Sequence, residues 1–350
     1  MHDREHTRQL EELAQRFVWF AKYDCQRSSP LYEHLSLHIA RDPEILELAT
    51  YARPGQPVPN LLFGAVQYLL LQGVQHPLAA FYSSIPASSS KQADPYPLFR
   101  SFCFAHWEEI QQLLATHLVQ TNEVRRCACL LPAFELVARR TQRRPLSLVE
   151  IGASAGLNLL WDHYGYDYGE GQRCGDEQAS VQLHCTLRGD KRPVLPATFP
   201  PVASRVGIDL NPIDVNDPAA TLWLRALIWP EHDKRVQLLT NALAVARQHT
   251  PTVLAGDALA LLPDVMATIP AETTLCLYHT FVINQFSPAA REQLAALFAH
   301  EATKRNLYVV SIAWQMGELL MLSLISYEDG IKTEKALAHC SGHARWMEWL

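Results

Sequence analysis

The run Leu146-Ser-Leu-Val-Glu-Ile151, followed at once by Gly152-Ala-Ser-Ala-Gly156, constrains this chain more than any other feature. A short apolar run bounded by glycines reads as a buried strand and a tight turn, because glycine reaches backbone conformations closed to other residues. A helical stretch from Leu157 to about His163 comes next, and strand, glycine turn and helix together open a nucleotide-binding α/β unit. Further buried strands are predicted at Val206–Leu210, Val253–Ala255, Thr274–Tyr278 and Leu307–Ala313. Helical patterns at Pro218–Ile228, Arg235–Arg247, Leu259–Ala267 and Pro288–Thr303 lie between them. Such alternation yields a mainly parallel sheet covered on both faces. Asp329-Gly330, between strand-like runs Leu319–Tyr327 and Ile331–Leu337, predicts a hairpin, so the sheet ends in antiparallel strands. The stretch Gly165 to Ser204, rich in Gly, Asp and Pro, reads as an insertion carrying a small hairpin, with Val181–Leu187 as one strand.

Before Arg143-Arg-Pro145 the pattern is helical. Leu10, Leu13, Phe17, Phe20 and Ala21 recur at three and four, and similar faces occupy Pro30–Ala40, Pro43–Tyr51, Leu61–Leu71, Phe99–Leu118 and Glu123–Arg140. This predicts a helical N-terminal cap domain over 1–140 and an α/β domain over 141–350. The 350 residues suit two domains, and 48% apolar against 19% charged residues excludes a wholly disordered chain. The net charge of −6 supplies no basic excess, so nucleic acid is not expected as an obligate partner. None of the eight cysteines forms a C-x-x-C pair, and Met1 to Glu12 is too charged for a secretory signal. The longest apolar stretch, Leu61 to Val74, is too short for a bilayer, and a cytoplasmic location without membrane attachment is expected.

The chemistry centres on Glu150-x-Gly152-x-x-x-Gly156. Its spacing differs from the G-x-G-x-x-G of pyrophosphate-binding turns, since Ser154 replaces the second glycine. With an acidic residue two before the first glycine, it resembles the first motif of the class I S-adenosylmethionine methyltransferases. Asp209 in Gly207-Ile-Asp-Leu-Asn-Pro212, Asp257 in Ala255-Gly-Asp-Ala258, and Tyr278-His279-Thr280 follow at the ends of successive strands. The resemblance implies a Rossmann-like, methyltransferase-type sheet in which Glu150, Gly152, Ser154 and Gly156 lie along the methionine part of S-adenosylmethionine. It places Asp209 at the ribose hydroxyls, Asp257 near the adenine amine, and Tyr278 and His279 where the methyl group is transferred. His279, as a general base titrating near neutrality, Tyr278 and Asn284 are the catalytic candidates. Asn122 and Glu123 begin the helix leading into the first strand, either as its cap or over the cofactor pocket. The interval from Gly156 to Asp209 exceeds the roughly 20 residues of a plain βαβ unit, and the insertion at 165–204 fills it.

Longer runs carry a second resemblance. Gln120-Thr-Asn-Glu-Val-Arg-Arg126, Leu148 to Asn158, Gly207 to Pro212, Trp229-Pro-Glu231 and Gly342-His-Ala-Arg-Trp346 are similar to the bacterial domain-of-unknown-function 2332 family over nearly the whole chain. That grouping implies no reaction.

Other readings compete. Gly152-Ala-Ser154-Ala-Gly156 also fits the G-x-S-x-G elbow of α/β-hydrolases, with Ser154 as nucleophile, Asp257 or Asp264 as acid, and His279, His339 or His343 as base. Against it, that elbow follows several strands, whereas the preceding residues read as helical. The glycines could also serve a packed turn alone, or a pocket that binds a nucleoside without catalysis. His34 and His38 stand at i, i+4, but no third donor with sensible spacing follows, so they read as a solvated face and no metal is expected. Trp161, Tyr164, Tyr166 and Tyr168 read as packing, or else as an aromatic wall for a sulfonium. The leading expectation is an S-adenosylmethionine-dependent methyltransferase acting on an unidentified small molecule.

Overall fold

The structure, a computed structural model, describes residues 2–82, 94–314 and 320–350. Its helices are α1 (His2–Trp19), α2 (Pro30–Ile39), α3 (Pro43–Ala49), α4 (Val58–Leu71), α5 (Pro95–Ala105) and α6 (Trp107–Thr116), then α7 (Cys127–Arg140), α8 (Pro218–Ala226), α9 (Asp233–Gln248), α10 (Ala258–Ala267) and α11 (Pro288–Ala302). They pack as two units, 1–121 with 218–237 and 122–217 with 238–350. The sheet unit therefore begins at 122 rather than 141. Helix α7, helical by pattern like its predecessors, belongs with the strands and buries Leu130, Leu131, Phe134, Val137 and Ala138.

The helical unit starts its helices by one device. Ser29, Asp42 and Asp94 each accept a backbone N–H from the first turn of α2, α3 and α5, and proline follows each cap. Its core gathers Phe17, Leu35, Phe63, Phe99, Ile110 and Leu114, and Trp223, Ala226 and Leu227 of the later segment join it. Tyr32 stacks on Phe63 at 4.1 Å between centroids. The single helix expected over Phe99–Leu118 is two, broken at His106, where no glycine or proline announces the break.

The second unit holds the strands β1 (Leu146–Ile151), β2 (Gly165–Asp167), β3 (Arg173–Cys174), β4 (Gln182–His184), β5 (Thr186–Arg188) and β6 (Val202–Asp209), then β7 (Thr252–Ala255), β8 (Thr274–Thr280), β9 (Leu307–Trp314), β10 (Leu320–Glu328), β11 (Ile331–Cys340) and β12 (Trp346–Trp349). The large sheet runs β5-β12-β11-β10-β9-β8-β1-β6-β7. From β7 to β9 all pairs are parallel, and β9 through β12 pair antiparallel. The fold is thus mixed α/β, with a large, mostly parallel sheet and antiparallel strands toward the C-terminal side. β1 is buried along its whole length, as a central parallel strand requires. Leu319, included in the expected hairpin strand, lies outside the described residues.

One strand expectation is corrected. Val181–Leu187 is not one strand: Gln182–His184 pairs with β2 in a separate three-stranded sheet, and Thr186–Arg188 pairs with β12 in the large one. The helical stretch expected over Leu157–His163 is present, as a 3-10 helix. The hydroxyls of Tyr164 and Tyr166 donate to the carbonyls of Leu157 and Trp161, replacing bonds that a continuing α-helix would make. Among the described residues no helix is long and apolar enough to cross a membrane.

Candidate functional site

Strand order reverses at β1, whose two neighbours β6 and β8 are reached in opposite directions along the sheet. In open parallel sheets the crevice beyond the carboxyl ends of the strands at such a reversal is where ligands bind. Ile151 of β1 stands level with Ile208 of β6 and His279 of β8, so the glycine turn, Asp209 and Thr280-Phe281 emerge at one edge.

The turn is held by its own backbone and by Asp209. Gly152, Ser154 and Gly156 all adopt positive φ, at 77°, 54° and 69°. Ser154 N–H donates to Asp209 Oδ2 and Asn211 N–H to Oδ1, each at 2.8 Å. Half-buried Asp209 thus clasps the turn after β1 to the turn after β6. Leu157 N–H donates to Asn122 Oδ1 at 3.0 Å. A Cβ on Gly152 would stand 2.8 Å from Val282 Cβ, and one on Gly156 2.7 Å from Pro251 Cγ. Both glycines therefore answer to packing as well as to φ. Gly152→Ala is expected to cost about 1–3 kcal/mol of stability, read as a lower urea midpoint; an unchanged midpoint would show that the turn relaxes freely.

Beneath the turn lies a buried polar cluster. Glu150 is fully buried and accepts from Asn158 Nδ2–H and Tyr278 O–H, both at 3.2 Å. Burial pushes its carboxyl up to about 8, against the pull of those two bonds. Burial likewise brings the His279 imidazole down to about 4, and its Nδ1 meets no partner. His279 is thus neutral and a weak base at physiological pH. Arg126 closes the edge, with its guanidinium 4.2 Å from the Phe281 ring centre and Nη1–H 3.3 Å from Thr280 Oγ1. Phe281 itself takes φ 70°, a strained value for an aromatic residue.

The model of one protein family, described as "Uncharacterized protein conserved in bacteria (DUF2332)", matches residues 14–349. The chain belongs to that family. Neither the curated proteins nor the solved structures contain a match.

In this DUF2332 member the sequence-derived residues separate into groups. Asn122, Gly152, Ser154, Gly156 and Asp209 meet in one hydrogen-bonded turn system, while Glu150, Tyr278 and Asn158 form the cluster below it. Glu123 is buried and caps the 3-10 turn Val124–Arg126 through Arg125 N–H. Exposed Asp257 caps α10 through Leu259 N–H. Asn284 bonds the backbone N–H and carbonyl of Trp314, a structural bridge between the β8 and β9 ends. The tyrosines of the aromatic cluster are buried with their hydroxyls on backbone carbonyls, which makes them packing rather than a pocket wall. Sequence reasoning missed Arg126, Phe281 and Leu210. Leu210 is 72% exposed directly after Asp209, which the apolar end of a predicted strand could have flagged.

Proposed function

We propose that this edge binds S-adenosylmethionine and that the protein transfers its methyl group to a small molecule. The carrying observation is the Asp209 carboxylate, fastened to the glycine turn at the end of the strand beside β1. A carboxylate offers about four acceptor positions, so this group type can hold backbone N–H groups and ribose hydroxyls together. The apolar side chain of Leu210 next to it suits the flat face of a purine. The Ser154 hydroxyl, buried without a partner in the turn, is an orphaned polar atom that a ligand's polar group would satisfy. These residues fit the cofactor. When bound it supplies an electrophilic methyl group on a sulfonium, so catalysis rests on positioning an acceptor that is already unprotonated. Neutral His279 orients rather than deprotonates, while Gly152 and Gly156 set the course of the turn. Asp257, as the α10 cap, supports the adenine side. No nucleic acid or membrane partner enters this reading.

Titration calorimetry with S-adenosylmethionine and S-adenosylhomocysteine tests it. Binding of either in the micromolar range, about −8 kcal/mol, is expected. Absence of heat from both at millimolar ligand overturns the reading. Binding without turnover over a broad acceptor panel would instead favour a sensor.

One observation favours a second reading. Ser154 combines positive φ with a free hydroxyl at a strand-to-helix turn, the setting of a hydrolase nucleophile. No histidine bonds that hydroxyl among the described residues. A fluorophosphonate probe is expected to leave the protein unlabelled; labelling that disappears in Ser154→Ala would establish the hydrolase instead.

A further inference from the structure

His34 and His38 lie four residues apart on α2, and the fold brings a third donor to them from 60 positions away in sequence. Asp94, the cap of α5, sets its Oδ1 2.8 Å from His34 Nε2. One ligand atom from each of the three side chains lies within 4.8 Å of the other two, close enough for a single ion to reach all three. The sequence reading, which looked for a third donor at motif spacing, missed it because the partner sits on a different helix.

We propose that His34, His38 and Asp94 bind one divalent transition-metal ion of the zinc type. The protonation pattern prepares the donors. His38 Nδ1–H donates to the His34 carbonyl at 3.0 Å, which fixes the tautomer and leaves the Nε2 lone pair to a metal. The His38 ring is held by stacking on Tyr96 at 4.9 Å and lies 4.3 Å from the His34 ring. Tyr96 in turn donates its hydroxyl to Asp42 at 2.7 Å, and Asp42 also accepts from Arg100 of α5 at 2.8 Å. The His38–Tyr96 stacking joins α2 to α5, and the two bonds to Asp42 tie α5 to the start of α3, an outer support of the kind that ordered metal sites carry. Asp94 Oδ1 is itself oriented by Tyr96 N–H at 2.9 Å. Binding needs the His34 Nε2 lone pair, so the proton shared with Asp94 Oδ1 leaves to solvent from an imidazolium ring, or is replaced by one at Nδ1 in a neutral ring.

Two imidazoles and one carboxylate suit zinc, copper or nickel and are poor donors for calcium or magnesium. Three protein ligands leave at least one position for water, as in open zinc sites rather than closed structural ones. Because His34 and His38 are half-buried and Asp94 is exposed, that position faces solvent.

The test titrates chelator-treated full-length protein with zinc chloride by calorimetry, and with cobalt(II) by visible absorption. One equivalent is expected to bind at micromolar concentration or tighter, with a cobalt spectrum free of thiolate charge transfer. Asp94→Asn keeps the helix cap, and His34→Gln leaves the stacked His38 in place. Each is expected to weaken binding at least tenfold while the melting temperature of the metal-free protein stays within a few degrees. Absence of saturable binding overturns the site. So does binding that both variants leave unchanged, or a thiolate band that would place the ion on the cysteines.

Discussion

Asp209→Ala protein is expected to stay folded and to lose at least a hundredfold of its affinity for S-adenosylmethionine. Two effects combine. In the proposed complex the carboxylate would supply charge-assisted hydrogen bonds to the ribose, each worth about 1.5–3 kcal/mol. It also holds Ser154 N–H and Asn211 N–H, so its removal frees the glycine turn. Loss of those two backbone bonds costs the fold about 1–3 kcal/mol: the N–H of exposed Asn211 can turn to water, whereas that of buried Ser154 is left without its acceptor. Calorimetry beside a urea titration separates the terms. Asp209→Asn keeps one carbonyl oxygen and is expected to fall between wild type and alanine. A folded alanine variant with wild-type affinity would remove Asp209 from the site and the proposal with it.

The second large effect is on stability against pH. Glu150 titrates near 8 when folded and near 4.5 otherwise, so between those values the folded state holds a proton that the unfolded chain has released. Its contribution falls as pH rises, by about 1.4 kcal/mol per unit. His279 behaves oppositely. With its folded value near 4 against 6.5, the unfolded chain takes up a proton that the buried ring refuses, and stability falls as pH drops through that window. From pH 4.5 to 6.5 the two slopes oppose each other. From 6.5 to 8 only the Glu150 slope remains, for a loss of about 2 kcal/mol. Urea unfolding of wild type and Glu150→Gln at pH 5, 6.5 and 8 reads this directly. The variant is expected to be flat from 6.5 to 8 and to become less stable from 6.5 to 5, exposing the His279 slope. A decline above 6.5 that persists in the variant would assign it to other groups.

The sheet was legible where its strands are buried on both faces. Leu146–Ile151 reads as a mostly apolar run interrupted by Ser147 and Glu150 and is β1 to the residue, because a central parallel strand has no solvent face to mark. Asp209 was legible as the polar residue closing the next apolar run, although β6 is only partly buried. What escaped notice depends on pairings that sequence does not carry locally. Strands β5 and β12 are only a few residues each; β5 is held by β12, and β12 by β5 and β11. The 3-10 turn after Gly156 owes its form to two tyrosine hydroxyls further along the chain. Arg126 reaches Thr280 across 154 positions, and Asp94 reaches His34 across 60. Neither spacing resembles a motif.

The interleaving of the two units bears on how the protein is made. Residues 1–121 emerge from the ribosome first, but the helical core closes only when Trp223, Ala226 and Leu227 arrive, after 122–217 of the other unit. During that interval Phe63, Leu114 and their neighbours lack part of their cover, and such apolar surface invites aggregation. The helical core is complete only once about residue 237 has appeared, so residues 1–121 alone lack part of it, and a contiguous fragment that keeps either core whole must run over 1–237 or 122–350.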